Sequence, residues 1–416
     1  MKKFVIISII LLLIGGTAFG FSLKHYIDVK SEQNKAVEET DKDAEKDADQ
    51  QEDATEADAA PAKSLADGDL FSANYDKAKK AIEDMSDEEM VGQLIVGVCS
   101  DTDTGAEDIK NYSLAGFLFD SEAFSGKTGD EVKQSIAGIK KEAKVAPIIA
   151  AEEEGGERTT ISGSEAFPEN VYDSPRNILA SGGLQEVEKA ELEKATFLKE
   201  AGFNLNFAPV VDMPDSSDQI MYSRSLTDDQ KVVGDFAKYC SKQVQAKGVS
   251  VALKHFPGYG TIPDTANEEA QANGTAVVDD RKADDIRNKD YEPFKQGAQE
   301  GAHFIMVSNV VVKSIDASHT AALSSSVHKE LRDLVGFSGL IITDVIDERD
   351  YSAYADGKDT AVAAILAGND LVLSRNYSTA YTAILSAVND GTISREMLEQ
   401  VCTRVLAYKY TAGMIK

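Results

Sequence analysis

Eight short apolar runs, each separated from the next by room for a helix, constrain this chain more than any other feature. They lie at residues 93–98, 116–119, 147–151, 204–211, 250–256, 303–309, 339–344 and 370–374. Near-continuous apolar strands are what a parallel sheet covered on both faces requires. Between them the apolar period lengthens to that of a helix, as over 130–143, 184–201 and 228–246. A last amphipathic helix, 393–410, ends the alternation. The count of eight predicts an α/β fold, a (β/α)8 TIM barrel in one catalytic-type domain. A doubly wound open sheet is the alternative, but nothing in that architecture calls for eight units.

The barrel is assigned to residues 73–416, and two different segments precede it. Lys2-Lys3 stand before an apolar run over 5–21. That run reads either as a signal peptide, with Ala18-Phe19-Gly20 as its cleavage site, or as an uncleaved membrane anchor over 1–23. Both readings export the rest of the chain, as a secreted protein or one held on the outer face of the cell membrane. Residues 24–72 read as an acidic, disordered linker. Over 31–70 there are 14 Asp and Glu against 4 Lys, a net of −10. Such a stretch buries too little apolar surface to offset its ordering entropy. The whole chain carries −28, which argues against nucleic acid as a partner. Cys99, Cys240 and Cys402 are odd in number and widely spaced, the pattern of buried thiols and not of a disulfide framework. No Cys/His spacing suggests a metal, and no cofactor is expected.

In a barrel of this kind the chemistry gathers where strands end and loops begin. Those ends carry Glu152-Glu153-Glu154 before Gly155-Gly156, then Asp212, Lys254-His255, Asn309, Asp344 and Arg375. Carboxylates, a Lys-His pair and an Asn on one rim suit a polar substrate pocket. The strand 339–344 delivers a lone carboxylate, Asp344, which by itself suits a nucleophile, a base, a metal ligand or a helix N-cap. After Lys254-His255 the chain breaks on Pro257, Gly258 and Gly260 into a loop carrying Asp264.

Several separated segments resemble glycoside hydrolase family 3, in its bacterial β-N-acetylglucosaminidase branch. They include Met85-Ser-Asp-Glu-Glu-Met-Val-Gly-Gln-Leu94, Glu154-Gly155-Gly156, Asn204-Leu-Asn-Phe-Ala-Pro-Val-Val-Asp212, Arg224-Ser225, Lys254-His-Phe-Pro-Gly258 and the strand ending in Asp344. The resemblance implies a retaining glycosidase acting on an amino-sugar glycoside, such as a peptidoglycan fragment. In it Asp344 forms the covalent glycosyl-enzyme, and Lys254, His255, Arg224, Glu152 and Arg158 contact the sugar. Membrane contact follows only if the N-terminal segment stays uncleaved. Several positions depart from the family: Glu152 stands where the branch has an Asp, and Glu157 and Thr160 stand at its two arginines, with Arg158 able to substitute after a small shift. The loop reads Asp264-Thr265-Ala266 where the branch has a general acid/base His, and Tyr259 stands at a second loop His. Asp264, Glu268 or Glu269 could supply the proton instead, with Asp264 the first choice because it matches the family's Asp beside that His. An alternative reading keeps the barrel without turnover, as a saccharide-binding or scaffold protein.

Overall fold

A computed structural model describes residues 65–416, all within one compact unit. The predicted N-terminal segment 1–23 and most of the 24–72 linker lie outside the described residues. Among the described residues no helix is long and apolar enough to cross a membrane.

All eight predicted strands form, and they pair in parallel. In chain order they are β1 (Ile95–Cys99), β2 (Gly116–Phe119), β3 (Ile148–Ala151), β4 (Leu205–Asn206), β5 (Ser250–Phe256), β7 (Phe304–Val307), β9 (Leu340–Thr343) and β10 (Val372–Ser374). The sheet order is β10-β1-β2-β3-β4-β5-β7-β9. A parallel bridge between Ile342 and Leu371 joins its two ends into a barrel. At that seam the Thr343 hydroxyl accepts the Leu373 amide at 2.9 Å, so a side chain completes the ladder. Two strands of two residues, β6 (Val278–Asp279) and β8 (Val311–Val312), pair outside the barrel. They are too short for any periodicity to announce them.

The helices start where the sequence supplies caps. Ser86 and Thr128 each close a capping box with Glu89 and Glu131, and Asp359 caps helix Thr360–Ala367, buried from Ala361 onward. Helix Leu184–Ala201 ends at Gly202, whose φ of +103° suits a residue without a Cβ. The strand 204–211 is regular over only two residues, because Pro209 brings no amide to the ladder. The pairing continues irregularly past it, with Val211 donating to the Lys254 carbonyl at 2.9 Å.

The barrel begins earlier than the predicted boundary at residue 73. Phe71 is fully buried, its ring 5.7 Å from Tyr408 and 5.8 Å from His303. Tyr75 donates to Asp69 at 3.1 Å. One aromatic side chain at the end of an acidic run is enough to dock that end on the core.

The end of the barrel at which the strands begin holds a buried charge cluster. Asp370, just before β10, accepts Arg404 Nε at 2.6 Å, Arg332 Nη2 at 2.9 Å and the Ile341 amide at 2.8 Å. Asn369 beside it donates to two backbone carbonyls. The Ala367–Leu371 segment is therefore structural.

His303 sits nearby, bonded to Ser250 Oγ at 2.8 Å. Burial pushes its imidazole down from 6.5 to about 4. The fold disfavours the protonated ring, so the stability it holds is complete above pH 6.5 and is lost as pH falls toward 4. Acidification from pH 7.5 to pH 5 should therefore remove about 2 kcal/mol through this residue alone. Urea midpoints measured across that range should fall, and His303→Asn should flatten the slope.

Candidate active site

The three glutamates after β3 divide their work. Glu153 turns inward and accepts the amides of Thr160, Ile161 and Ser162 at 2.8, 2.5 and 3.1 Å, folding the following segment back. Glu152 and Glu154 converge on Lys254, whose buried ammonium is 2.6 Å from a carboxylate oxygen of each. Arg224 grips Glu154 with a two-pronged contact, Nε at 2.9 Å and Nη2 at 2.6 Å. Planar guanidinium and carboxylate match in this geometry, which fixes orientation as well as charge. Burial would raise both carboxyl groups, but the Lys254 and Arg224 charges outweigh it and hold both below the usual carboxylate range. Arg158 lies farther out, 3.7 Å from Glu152. Gly155 turns the chain with φ +100°, and a side chain there would collide with the Asp173 carbonyl.

A second network starts from Asp212. One carboxylate oxygen accepts both the backbone amide and Nδ1–H of His255, at 3.2 and 2.7 Å, and the other accepts the Tyr259 amide at 2.8 Å. With Nδ1 donating, Nε2 is the acceptor, and it lies 3.5 Å from Arg224 Nη2. Adjacent residues in a regular strand face opposite ways. The β5–β7 register slips between Leu253 and Phe256, which lets Lys254 and His255 both serve the site. The Lys254–His255 peptide is cis.

Asp344 follows β9 directly. Its Oδ1 accepts the Val345 amide at 2.8 Å, while its own amide donates to the Val307 carbonyl at 2.8 Å. Asn309 holds the Val345 carbonyl from the neighbouring strand end at 2.9 Å. Burial and then the Asp344 charge raise the phenols of both Tyr259 and Tyr351. Asp344, Asn309, Tyr351, Tyr259, His255 and Arg224 line one cavity of about 960 Å³.

Of the residues singled out from sequence, Asp344, His255, Arg224, Glu152, Arg158 and Asp264 line that cavity, and Lys254 lies beneath its floor. Asp264 is exposed, on the first turn of a helix, Asp264–Asn273, where the sequence reading had a loop. Ala266 is half-buried on the same helix; Glu268 and Glu269 are exposed and do not line the cavity. Glu154, Asp212, Tyr259, Asn309 and Glu348 complete the site. The first four stood at strand ends or on the loop, which was the available signal. Glu348 sits in Asp347-Glu-Arg-Asp350, which reads as a solvated charge run. Among the described residues no group of three or more His, Cys, Asp or Glu could hold a metal ion.

The description "Glycosyl hydrolase family 3 N terminal domain" matches residues 86–408. The chain belongs to glycosyl hydrolase family 3. Membership places it among the glycosidases. A family 3 relative, the Beta-hexosaminidase of Xanthomonas campestris pv. campestris, is 28% identical over 259 residues, covering 61% of this chain and 75% of that protein. The Beta-N-acetylhexosaminidase of Beutenbergia cavernae superposes with a TM-score of 0.65 at 28% identity, over 79% of this chain and 99% of that one. A glycoside hydrolase family 3 beta-N-acetylglucosaminidase from Paenibacillus sp. shares the fold at a TM-score of 0.71 and 23% identity. That match covers 79% of this family 3 chain and 63% of the Paenibacillus one.

Proposed function

We propose that this family 3 protein hydrolyses terminal β-linked N-acetylglucosaminides with retention of configuration, through a covalent glycosyl ester on Asp344. The observation that carries the reading is one cavity lined by Asp344 together with Glu152, Arg224 and His255, with Glu154 holding Arg224 from behind. Asp344 is the nucleophile: its carboxylate oxygen attacks the anomeric carbon as the glycosidic bond breaks, and water then releases the sugar. The polar array recognises sugar hydroxyls, because a buried donor or acceptor left unpaired by the wrong sugar penalises its binding. The names of the relatives favour an N-acetylhexosamine over glucose. The apolar run behind Lys2-Lys3 favours work outside the cell, on wall-derived fragments.

The test follows 4-nitrophenyl β-N-acetylglucosaminide and β-glucoside by absorbance and proton NMR. The amino sugar should be cleaved with a kcat/KM at least about 10-fold higher, and the β-anomer should appear first. Initial release of the α-anomer would remove the covalent mechanism.

A further inference from the structure

We propose that Glu348 is the proton donor and general base of this site, doing the work for which Ala266 leaves the loop without an imidazole. The inference rests on the glycosidase reading above and adds the group that reading leaves open.

Glu348 and Asp344 leave the same strand, β9, and line the same cavity. The turn between them is pinned to the end of β10. The Ile346 amide donates to the Leu373 carbonyl at 3.0 Å. Asp347 accepts Ser374 Oγ at 2.8 Å and the amides of Arg375 and Asn376 at 2.9 and 2.6 Å. With Asp347 committed to the end of β10, the next residue is presented to the cavity. Beyond it, Arg349 Nη2 donates to Asn267 Oδ1 at 2.6 Å and Nη1 to the Thr275 carbonyl at 3.4 Å. The Glu348 turn is thus tied to the very helix on which the imidazole is missing.

The competing groups are placed less well. Among the described residues His255 is the one histidine lining the cavity, and its ring is committed to Asp212 on one nitrogen and faces Arg224 on the other. Asp264, exposed like Glu348, lines the cavity from the Asp264–Asn273 helix and not from the β9 end that carries Asp344, and Glu268 and Glu269 are outside the lining. Glu348 is itself an exposed side chain, and it lines the cavity together with Asp344. Desolvation on the cavity side first, and then the Asp344 charge, raise its carboxyl above the usual range, against the pull of Arg349, Arg375 and Arg158. Two carboxyl groups in unlike surroundings are how such sites separate a donor from a nucleophile.

In the first step the Glu348 carboxylic acid gives its proton to the glycosidic oxygen while an Asp344 oxygen bonds to the anomeric carbon. The carbon–oxygen bond to the leaving group breaks, and its electron pair stays on the departing oxygen. In the second step the Glu348 carboxylate takes a proton from water. The water oxygen bonds to the anomeric carbon, and the Asp344 ester bond breaks with its electrons returning to the carboxylate.

The test compares phenyl and 2,4-dinitrophenyl β-N-acetylglucosaminides on the full-length protein and its Glu348→Gln, Asp264→Asn and Asp344→Asn variants. Glu348→Gln should lower kcat/KM on the phenyl substrate about 10²–10⁴-fold but on the dinitrophenyl substrate less than about 10-fold, because the better leaving group needs little protonation. The alkaline limb of its kcat/KM profile should disappear. Azide, which needs no general base, should accelerate dinitrophenyl turnover by the variant and yield a glycosyl azide. Unchanged phenyl activity, or equal losses on both substrates, overturns the assignment, as does the same leaving-group split in Asp264→Asn. If Asp344→Asn is inactive while Glu348→Gln behaves as the wild type, this proposal alone falls. If Asp344→Asn keeps wild-type activity, the covalent role of Asp344 falls with it, and if the wild type cleaves neither substrate, the glycosidase reading itself falls.

Discussion

Asp344→Asn should lower kcat for aryl N-acetylglucosaminide hydrolysis on the order of 10⁴-fold or more, with little change in stability. Losing the nucleophile of a covalent mechanism removes the route itself, so the effect belongs with the largest known for single catalytic groups. The fold should not notice. Asp344 uses one oxygen to accept the Val345 amide, and an asparagine carbonyl accepts the same bond. Its own amide stays on the Val307 carbonyl. Urea midpoints of variant and wild type should then agree to within about 0.5 kcal/mol, as for substitutions that leave packing and hydrogen bonds in place. A loss of activity with an intact fold separates chemistry from damage.

Lys254→Met should have the opposite profile, a large loss of stability whose size depends on pH. The buried ammonium stands between two carboxylates at 2.6 Å each. Without it Glu152 keeps only guanidinium groups at 3.7 Å, and Glu154 keeps Arg224. Breaking a buried ion pair from one side leaves an uncompensated charge and costs about 3–5 kcal/mol. In the wild type both carboxyls are held below their usual range, so their contribution is present above about pH 4.5 and is lost only as pH falls below it. In the variant the stranded carboxyls prefer protonation, and the gap to the wild type should narrow between pH 7 and pH 5. Adding Glu154→Gln should recover part of the loss, a coupling readable by a double-mutant cycle.

The barrel was legible because a strand buried on both faces must be apolar throughout, and eight such runs survive inspection one by one. Its limits were not equally visible. Phe71 closes an acidic run whose composition says disorder, and only its packing on Tyr408 and His303 shows that the domain has already begun. The site was half legible, for a related reason. Strand ends reveal which side chains reach the rim, so Asp344, His255 and Glu152 could be named, while Arg224 was named through the family resemblance alone. They do not reveal partners. Glu154 and Arg224 are 70 residues apart, and Lys254 meets Glu152 across 102. Only closure of the barrel decides that Lys254 holds carboxylates from beneath the floor. The Asp264–Asn273 helix carried its own signals, Pro263 and Asp264 at the start and Gly274 at the stop with φ +64°. Its many carboxylates made it read as a loop. Glu348 was hidden in the same way, by charged neighbours that turn to other tasks.

The central claim is that Asp344 carries the sugar between the two steps. A 5-fluoro N-acetylglucosaminyl fluoride tests it most directly. The ring fluorine slows both steps by disfavouring positive charge at the anomeric centre, while the fluoride leaving group keeps the first faster, so the intermediate accumulates. Intact mass followed by peptide mapping should find one sugar per chain, ester-linked to Asp344 and absent from Asp344→Asn. A label on any other residue, or turnover of the reagent with no covalent species at all, would contradict the account.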